Sequence, residues 1–264
     1  MEFEIRHREG RLLWRGDADG PRDAVEQAVH ARVDLGGAQL ADVDLAHTDL
    51  ERAQLAGADL RRARLRNANL EEADLRGADL SGAQLDGANL EEADLTRALL
   101  VEASARGANF EEARLEEADL TRLTAEGCNF EEADFRAARI EGARLDRSNL
   151  EEARLDGAHG VGASLSRANL EKATLRDCDL AGADLSRSNL EKCDLRGARL
   201  WGANLSASNL EKADLRSADL SDADLREANL DRCDVDGARM QGTRLESANT
   251  SRMRGRPSTA TPYR

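Results

Sequence analysis

Residues 68–75 read ANLEEADL, and residues 88–95 repeat them without change. Close copies follow: ANFEEARL at 108, CNFEEADF at 128 and SNLEEARL at 148. Inside that twenty-residue period lies a shorter one. Of the 44 positions taken every fifth residue from 35 to 250, 34 are Leu, and six more are Phe110, Phe130, Phe135, Ile140, Val235 and Met240. Two residues before each sits a small residue, usually Ala. The unit is A-(D/N)-L-x-x, a repeat that has to be read before any other signal.

Five-residue spacing fits neither regular backbone. On an α-helix it advances about 500°, so the leucines would spiral over every face. In a flat strand an odd period would send alternate leucines to opposite sides. Ala and Leu two apart share one side of a short extended piece if the chain turns a corner before the next unit. Five-residue sides joined by corners make a solenoid. The longer period counts the sides. Asn precedes the central residue at Asn69, Asn89, Asn109, Asn129, Asn149, Asn169, Asn189, Asn209, Asn229 and Asn249. Four pentads per coil therefore stack the asparagines in one column, where amides can hydrogen-bond as a ladder.

These residues resemble the pentapeptide-repeat proteins over Val33 to about Asn249. The resemblance implies an all-β fold, a right-handed quadrilateral parallel β-helix of about eleven coils. Three segments are expected: an N-terminal cap at 1–32, the repeats at 33–250, and a disordered basic tail at 251–264. In the first, EFEIRHREGRLLWRG predicts two strands around a tight turn. GPRDAVEQAVHAR predicts a short helix with Ala24, Val25, Ala28 and Val29 on one face. The tail, TSRMRGRPSTATPYR, has four arginines, two prolines and no apolar period. The last coil then has an open edge, covered either by a homodimer joined there or by the tail folding back.

Irregular pentads are few. Cys128, Cys178, Cys193 and Cys233 all fall in the small inward slot. Ala105 and Ala125 replace central leucines beside Phe110 and Phe130, whose rings are expected to fill the space. Gly160, in GAHGVGA at 157–163, is expected to loosen or bulge its coil.

Composition excludes several function classes. Of 264 residues 34% are charged and 3% aromatic, with a formal net charge of -14. No apolar run is long enough to span a membrane, and MEFEIRHREG lacks the apolar middle of a signal peptide. A soluble cytoplasmic protein is expected. No cysteine pair or histidine spacing suggests a metal site, no cofactor motif appears, and the carboxylates lie on an outer surface with no cleft. No enzyme, metal or cofactor is expected.

The charge itself is patterned. Glu71 and Glu72, Glu91 and Glu92, Glu111 and Glu112, and Glu131 and Glu132 recur at twenty-residue steps, with Asp74 and Asp94 on the adjoining side. Residues 71–130 carry 15 acids against 5 bases. Beyond 170 the second Glu becomes Lys172, Lys192 and Lys212. Routine cross-strand pairs join Arg62 to Asp42, Arg64 to Asp44, Arg66 to Asp86 and Arg114 to Asp94, but Glu71, Glu91 and Glu111 stack on one another.

Two functions follow as expectations. The resemblance extends to members that mimic DNA and protect DNA gyrase from topoisomerase poisons. On that basis the acidic column would bind gyrase or another DNA-binding protein, without direct nucleic-acid or membrane binding. The alternative is a scaffold or adaptor with an unrelated protein partner, for which outward-facing Trp201 is the candidate anchor.

Overall fold

Each pentad folds the same way because its residues leave few alternatives. In the computed structural model, which describes residues 1–258, Leu70 and Ala73 close a turn: the Ala73 amide donates to the Leu70 carbonyl at 3.0 Å. Glu72, third in that turn, has φ 54° while Glu71 stays at negative φ, as a type II turn requires. The turn throws Ala and Leu inward on every side. Leu70, Leu75, Leu80 and Leu85 are fully buried, with Ala68, Ala73, Ala78 and Ala83 at 0–1% exposure. The two backbone groups flanking each Leu then point along the stack. Leu70 donates to Asn89 O at 2.7 Å, and Asn89 donates to Ala68 O at 2.9 Å. Parallel bridges such as Asn69↔Asn89 and Asp74↔Asp94 repeat this step of twenty. The result is a β-helix solenoid with four five-residue sides per coil.

The chain divides into two compact units, Met1–Asp134 and Phe135–Arg264. The first begins with strands β1 (Glu2–Arg6) and β2 (Leu12–Asp17), paired antiparallel with a register shift at Ile5/Arg6. Helix α1 (Pro21–His30) carries Pro21 in its first turn and buries Ala24, Val25, Ala28 and Val29. The hairpin meets the first pentad through an antiparallel bridge from His7 to Ala38 and through Gln39 N donating to Arg6 O at 2.9 Å. From the helix, Glu26 accepts the Asp49 amide at 3.3 Å.

Deeper in the first unit, the rings of Phe110 and Phe130 stack at 4.8 Å with planes 18° apart, in coils where Ala105 and Ala125 replace Leu. Leu123 adds what the periodicity did not signal: it occupies the small inward slot and is fully buried. Its pentad keeps a Leu and an Ala but exchanges their places.

In the second unit the coil at Gly160 is neither loosened nor bulged, which corrects the expectation for 157–163. His159 bridges both Arg139 and Asp179, and Gly160 N donates to Asp179 O at 2.7 Å. The missing side chain is replaced from above and below: a Cβ at Gly160 would lie 2.8 Å from Leu180 Cδ2 and 2.9 Å from Ile140 Cγ1. Restoring the consensus residue should therefore harm the fold. Gly160→Leu is expected to destabilise by about 1–3 kcal/mol through overpacking, read as a lower urea midpoint.

The disordered-tail expectation is also corrected for residues 251–258. Arg254 N donates to Cys233 O at 2.8 Å, Gly237 N to Arg256 O at 2.9 Å, and Ser258 N to Ala238 O at 2.7 Å. Composition misses this because the preceding coil supplies a ready row of donors and acceptors. The remaining residues of that expected tail, 259–264, lie outside the described residues.

All four cysteines are buried. Cys128, Cys193 and Cys233 donate to carbonyls 23 residues back at 2.7–2.8 Å, and burial pushes the Cys128 and Cys233 thiols up to about 12. They behave as small core residues.

Candidate protein-binding surface

The asparagine side is built from the backbone outward. In the first unit, Asn89 Nδ2 donates to Asn69 Oδ1 at 3.2 Å, Asn109 to Asn89 at 3.1 Å, and Asn129 to Asn109 at 3.1 Å. In the second, the same ladder runs from Asn149 through Asn169, Asn189, Asn209 and Asn229 to Asn249. Each Oδ1 also accepts the amide two residues on, so that Glu91 N lies 3.3 Å from Asn89 Oδ1. The ladder thus fixes where the following glutamate starts.

The two glutamates of each pair differ. The first is half-buried and turns back to the ladder. Glu71, Glu91 and Glu111 accept from Asn89, Asn109 and Asn129 at 3.2, 3.1 and 2.9 Å. These contacts, eighteen residues apart, are invisible to a search for neighbours at twenty. The second glutamate is exposed and sits at positive φ: 54° at Glu72, 56° at Glu92, 55° at Glu112 and 56° at Glu132. That left-handed backbone strains any residue with a Cβ. Glu131 and Glu132 take the same two positions one coil beyond Glu111 and Glu112.

Charge compensation is uneven along this side. Arg52 reaches Glu72 at 2.5 Å and also pairs with Glu51. Asp74 is held by Arg76 at 2.6 Å, and that hydrogen bond keeps its carboxyl below the usual range. Asp94 lies 3.9 Å from both Arg76 and Arg114. The expected pairs of Arg62 with Asp42, Arg64 with Asp44 and Arg66 with Asp86 measure 2.7, 3.2 and 3.5 Å. Among the described residues, no cationic side chain forms an ion pair with Glu91, Glu92, Glu111 or Glu112. Those four are the uncompensated centre of the predicted column, while Glu72, Asp74 and Asp94 share their charge with arginines.

The second unit repeats the backbone with the opposite chemistry. After Glu152, its outer turn position holds Lys172, Lys192, Lys212, Arg232 and Arg252. Lys192 lies 3.0 Å from both Glu171 and Glu191, Lys212 lies 2.9 Å from Glu211, and Arg252 grips Asp231 at 2.5 Å. Glu91 and Glu191 make the contrast plain. Loss of solvent and the neighbouring Glu111, Glu71 and Glu92 push the Glu91 carboxyl up. The Lys192 hydrogen bond holds that of Glu191 down. Residues 1–134 carry 31 acids against 16 bases, whereas residues 135–264 carry 21 against 22, so the negative charge belongs to the first unit.

Trp201 stands in the second unit, away from the asparagine side, and is 56% exposed. Among the described residues, no cluster of His, Cys, Asp or Glu is placed to hold a metal, and no helix is long and apolar enough to cross a membrane.

Comparison with known proteins places this architecture. The family described as pentapeptide repeats matches in successive stretches that together cover residues 27–242, the first at 27–62 and the last at 203–242. No curated protein matches the sequence. Among solved structures, HetL, a pentapeptide repeat protein involved in heterocyst differentiation regulation from the cyanobacterium Nostoc sp. strain PCC 7120, is 36% identical. That match covers 80% of this chain and 84% of HetL, with a TM-score of 0.44. A structure of QnrB1, a plasmid-mediated fluoroquinolone resistance protein, is 22% identical and covers 66% of this chain and 91% of its own, with a TM-score of 0.55. The QnrB1 match is a likeness of fold.

Proposed function

This chain belongs to the pentapeptide-repeat family, and from that premise we propose that it is a non-catalytic binding protein whose first unit offers its glutamate column to a basic protein surface. One observation carries the proposal. Glu91, Glu92, Glu111 and Glu112 lack cationic partners among the described residues, although the same columns in the second unit are compensated lysine by lysine. Stacked like charges are unfavourable. The fold therefore tolerates compensation at these positions but does not have it where the column is most acidic.

The spacing suggests the partner. Adjacent strands lie about 4.8 Å apart, so two glutamates per coil give one negative charge per roughly 2.4 Å. Duplex DNA carries one per about 1.7 Å of axis. A surface built to hold a phosphate backbone would meet a comparable row of charge. The most specific form of the proposal is a DNA mimic that binds DNA gyrase, or another type II topoisomerase, and protects it from poisons. The acidity in which this repeat surface resembles the gyrase-protecting members supports it. A second possibility, an adaptor with a partner unrelated to DNA, rests on exposed Trp201 and implies binding that salt hardly affects.

Gyrase supercoiling and poison-induced cleavage, measured as the protein is titrated in, test the proposal. The wild type is expected to inhibit supercoiling or relieve cleavage. A variant with Glu91, Glu92, Glu111 and Glu112 changed to Gln should not. Equal activity of the two proteins would remove the column from the mechanism. Inactivity of both up to about 100 µM, where binding would be too weak to matter, would remove gyrase.

A further inference from the structure

The second unit carries a face that complements itself. In the second unit, the exposed large apolar side chains among the described residues are Val161 and Trp201, and both fall on the same one of its four sides. In the second unit this side stacks Val161, Ala181, Trp201 and Ser221 in successive coils, as the hydrogen bonds from Gly162, Gly182 and Gly202 to the last three carbonyls show. Trp201 is thus a large side chain whose neighbours along the stack are both small.

Beside this column runs a bridged column of alternating charge: Asp179, Arg199, Asp219 and Arg239. Its ion pairs are loose, at 3.5 Å for Arg199 with Asp179 and 3.5 Å for Arg239 with Asp219, and the Arg199 side chain is 73% exposed. A hollow of about 540 Å³ opens among Asp179, Ala181, Arg199, Trp201, Asp219 and Arg239. It is an open groove running along several coils, with Ala181 in its lining.

We propose that a second copy of this chain docks antiparallel on this face, related by a two-fold axis midway between the coils of Asp179 and Arg199. Under such an axis the Asp179–Arg199 step of the column becomes its own complement, while further out Asp219 meets His159 and Arg239 meets Arg139, so the complementarity is confined to this central step. Asp179 faces Arg199 of the other copy, and Arg199 faces its Asp179. The same operation sets each Trp201 over the other copy's Ala181 and its hollow, so the contact is isologous. The segment that carries this face adds little net repulsion between copies: residues 135–264 are nearly balanced, with 22 bases and 21 acids. The face is narrow, so a weak dimer is expected, with a Kd of about 100 µM.

Sedimentation velocity of the full chain, from about 1 µM to about 1 mM, reads the association directly. The wild-type sedimentation coefficient should rise across that range, and Trp201→Ser should hold it at the monomer value. Asp179→Arg and Arg199→Asp each place like charges opposite one another in a self-pair, and each alone should associate at least about tenfold more weakly. Mixed in equal amounts, the two variants face Arg with Asp at both contacts and should associate as the wild type does. Both variants lose the same internal ion pair, so recovery in the mixture cannot come from folding. A wild type that stays monomeric overturns the proposal, as does a Trp201→Ser variant that still dimerises or a mixture that does not recover.

Discussion

Phe110→Ala is expected to lower the unfolding free energy by about 4 kcal/mol, within the range for truncating a buried Phe. Three features put it toward the upper part of that range. The ring is fully buried and stacks on Phe130 at 4.8 Å, so the substitution removes packing as well as apolar area. The residues that could collapse into the space are small: Ala105 and Ala125 already stand where other coils have Leu. The surrounding backbone is fixed by hydrogen bonds, including Phe110 N to Asn129 O at 2.7 Å, so the coils cannot close over a void. Urea unfolding measures the loss, with Phe110→Leu as the milder control. A cost below about 1 kcal/mol would mean that the stack is not the element filling this part of the core.

The second large effect concerns binding. Glu92→Lys with Glu112→Lys copies onto the first unit the arrangement of Lys192 and Lys212. The new ammonium groups should draw Glu91 and Glu111 into ion pairs like those of Glu171, Glu191 and Glu211, and the unfolding midpoint should rise. The pH dependence should change sign at these sites. In the wild type, the raised Glu91 carboxyl binds a proton more tightly folded than unfolded, so its contribution to stability grows as pH falls through its folded pKa. Paired as Glu191 is, it would be depressed, and its contribution would instead be present above the unfolded value and lost as pH falls. Asp194 already shows the second behaviour. Burial raises its carboxyl, but hydrogen bonds from Arg196 and Arg176 outweigh that and hold it at about 2. While stability rises, affinity for a basic partner should fall by more than about tenfold, since the reversed charges now repel it. A gain in stability with a loss of binding is what separates a functional column from a solvated one.

Much of this structure is legible in the sequence because a solenoid writes each contact at a constant offset. The step of five fixes which residues face inward, and the step of twenty fixes which residues stack. Pairs such as Arg62 with Asp42 follow directly. The rest departs from those offsets for particular reasons. Arg76 takes Asp74 two residues away rather than a neighbour one coil off, because a long guanidinium side chain at the turn can fold back on its own pentad. Glu91 meets Asn109 across eighteen residues because the turn aims it at the next amide. Arg52 does stand twenty residues before Glu72, but its column is one place removed from Glu71, Glu91 and Glu111, where the stacked acids are found. Gly160 keeps its coil regular because Ile140 and Leu180 extend into the gap, a compensation across coils that one pentad cannot announce. Residues 251–258 pair because the coil beneath them is already ordered, a property of the template and not of their composition.

Salt dependence of binding to DNA gyrase tests the central claim most directly: that the uncompensated glutamates of the first unit form the working surface. Affinity should be measured from about 50 mM to about 300 mM salt for the wild type and for the variant carrying Glu91, Glu92, Glu111 and Glu112 as Gln. The expected result is wild-type binding that weakens steeply with salt, and a variant that binds at least about tenfold more weakly at the low end with a shallower dependence. Wild-type binding that is indifferent to salt, or a variant that binds as tightly as the wild type, would contradict it.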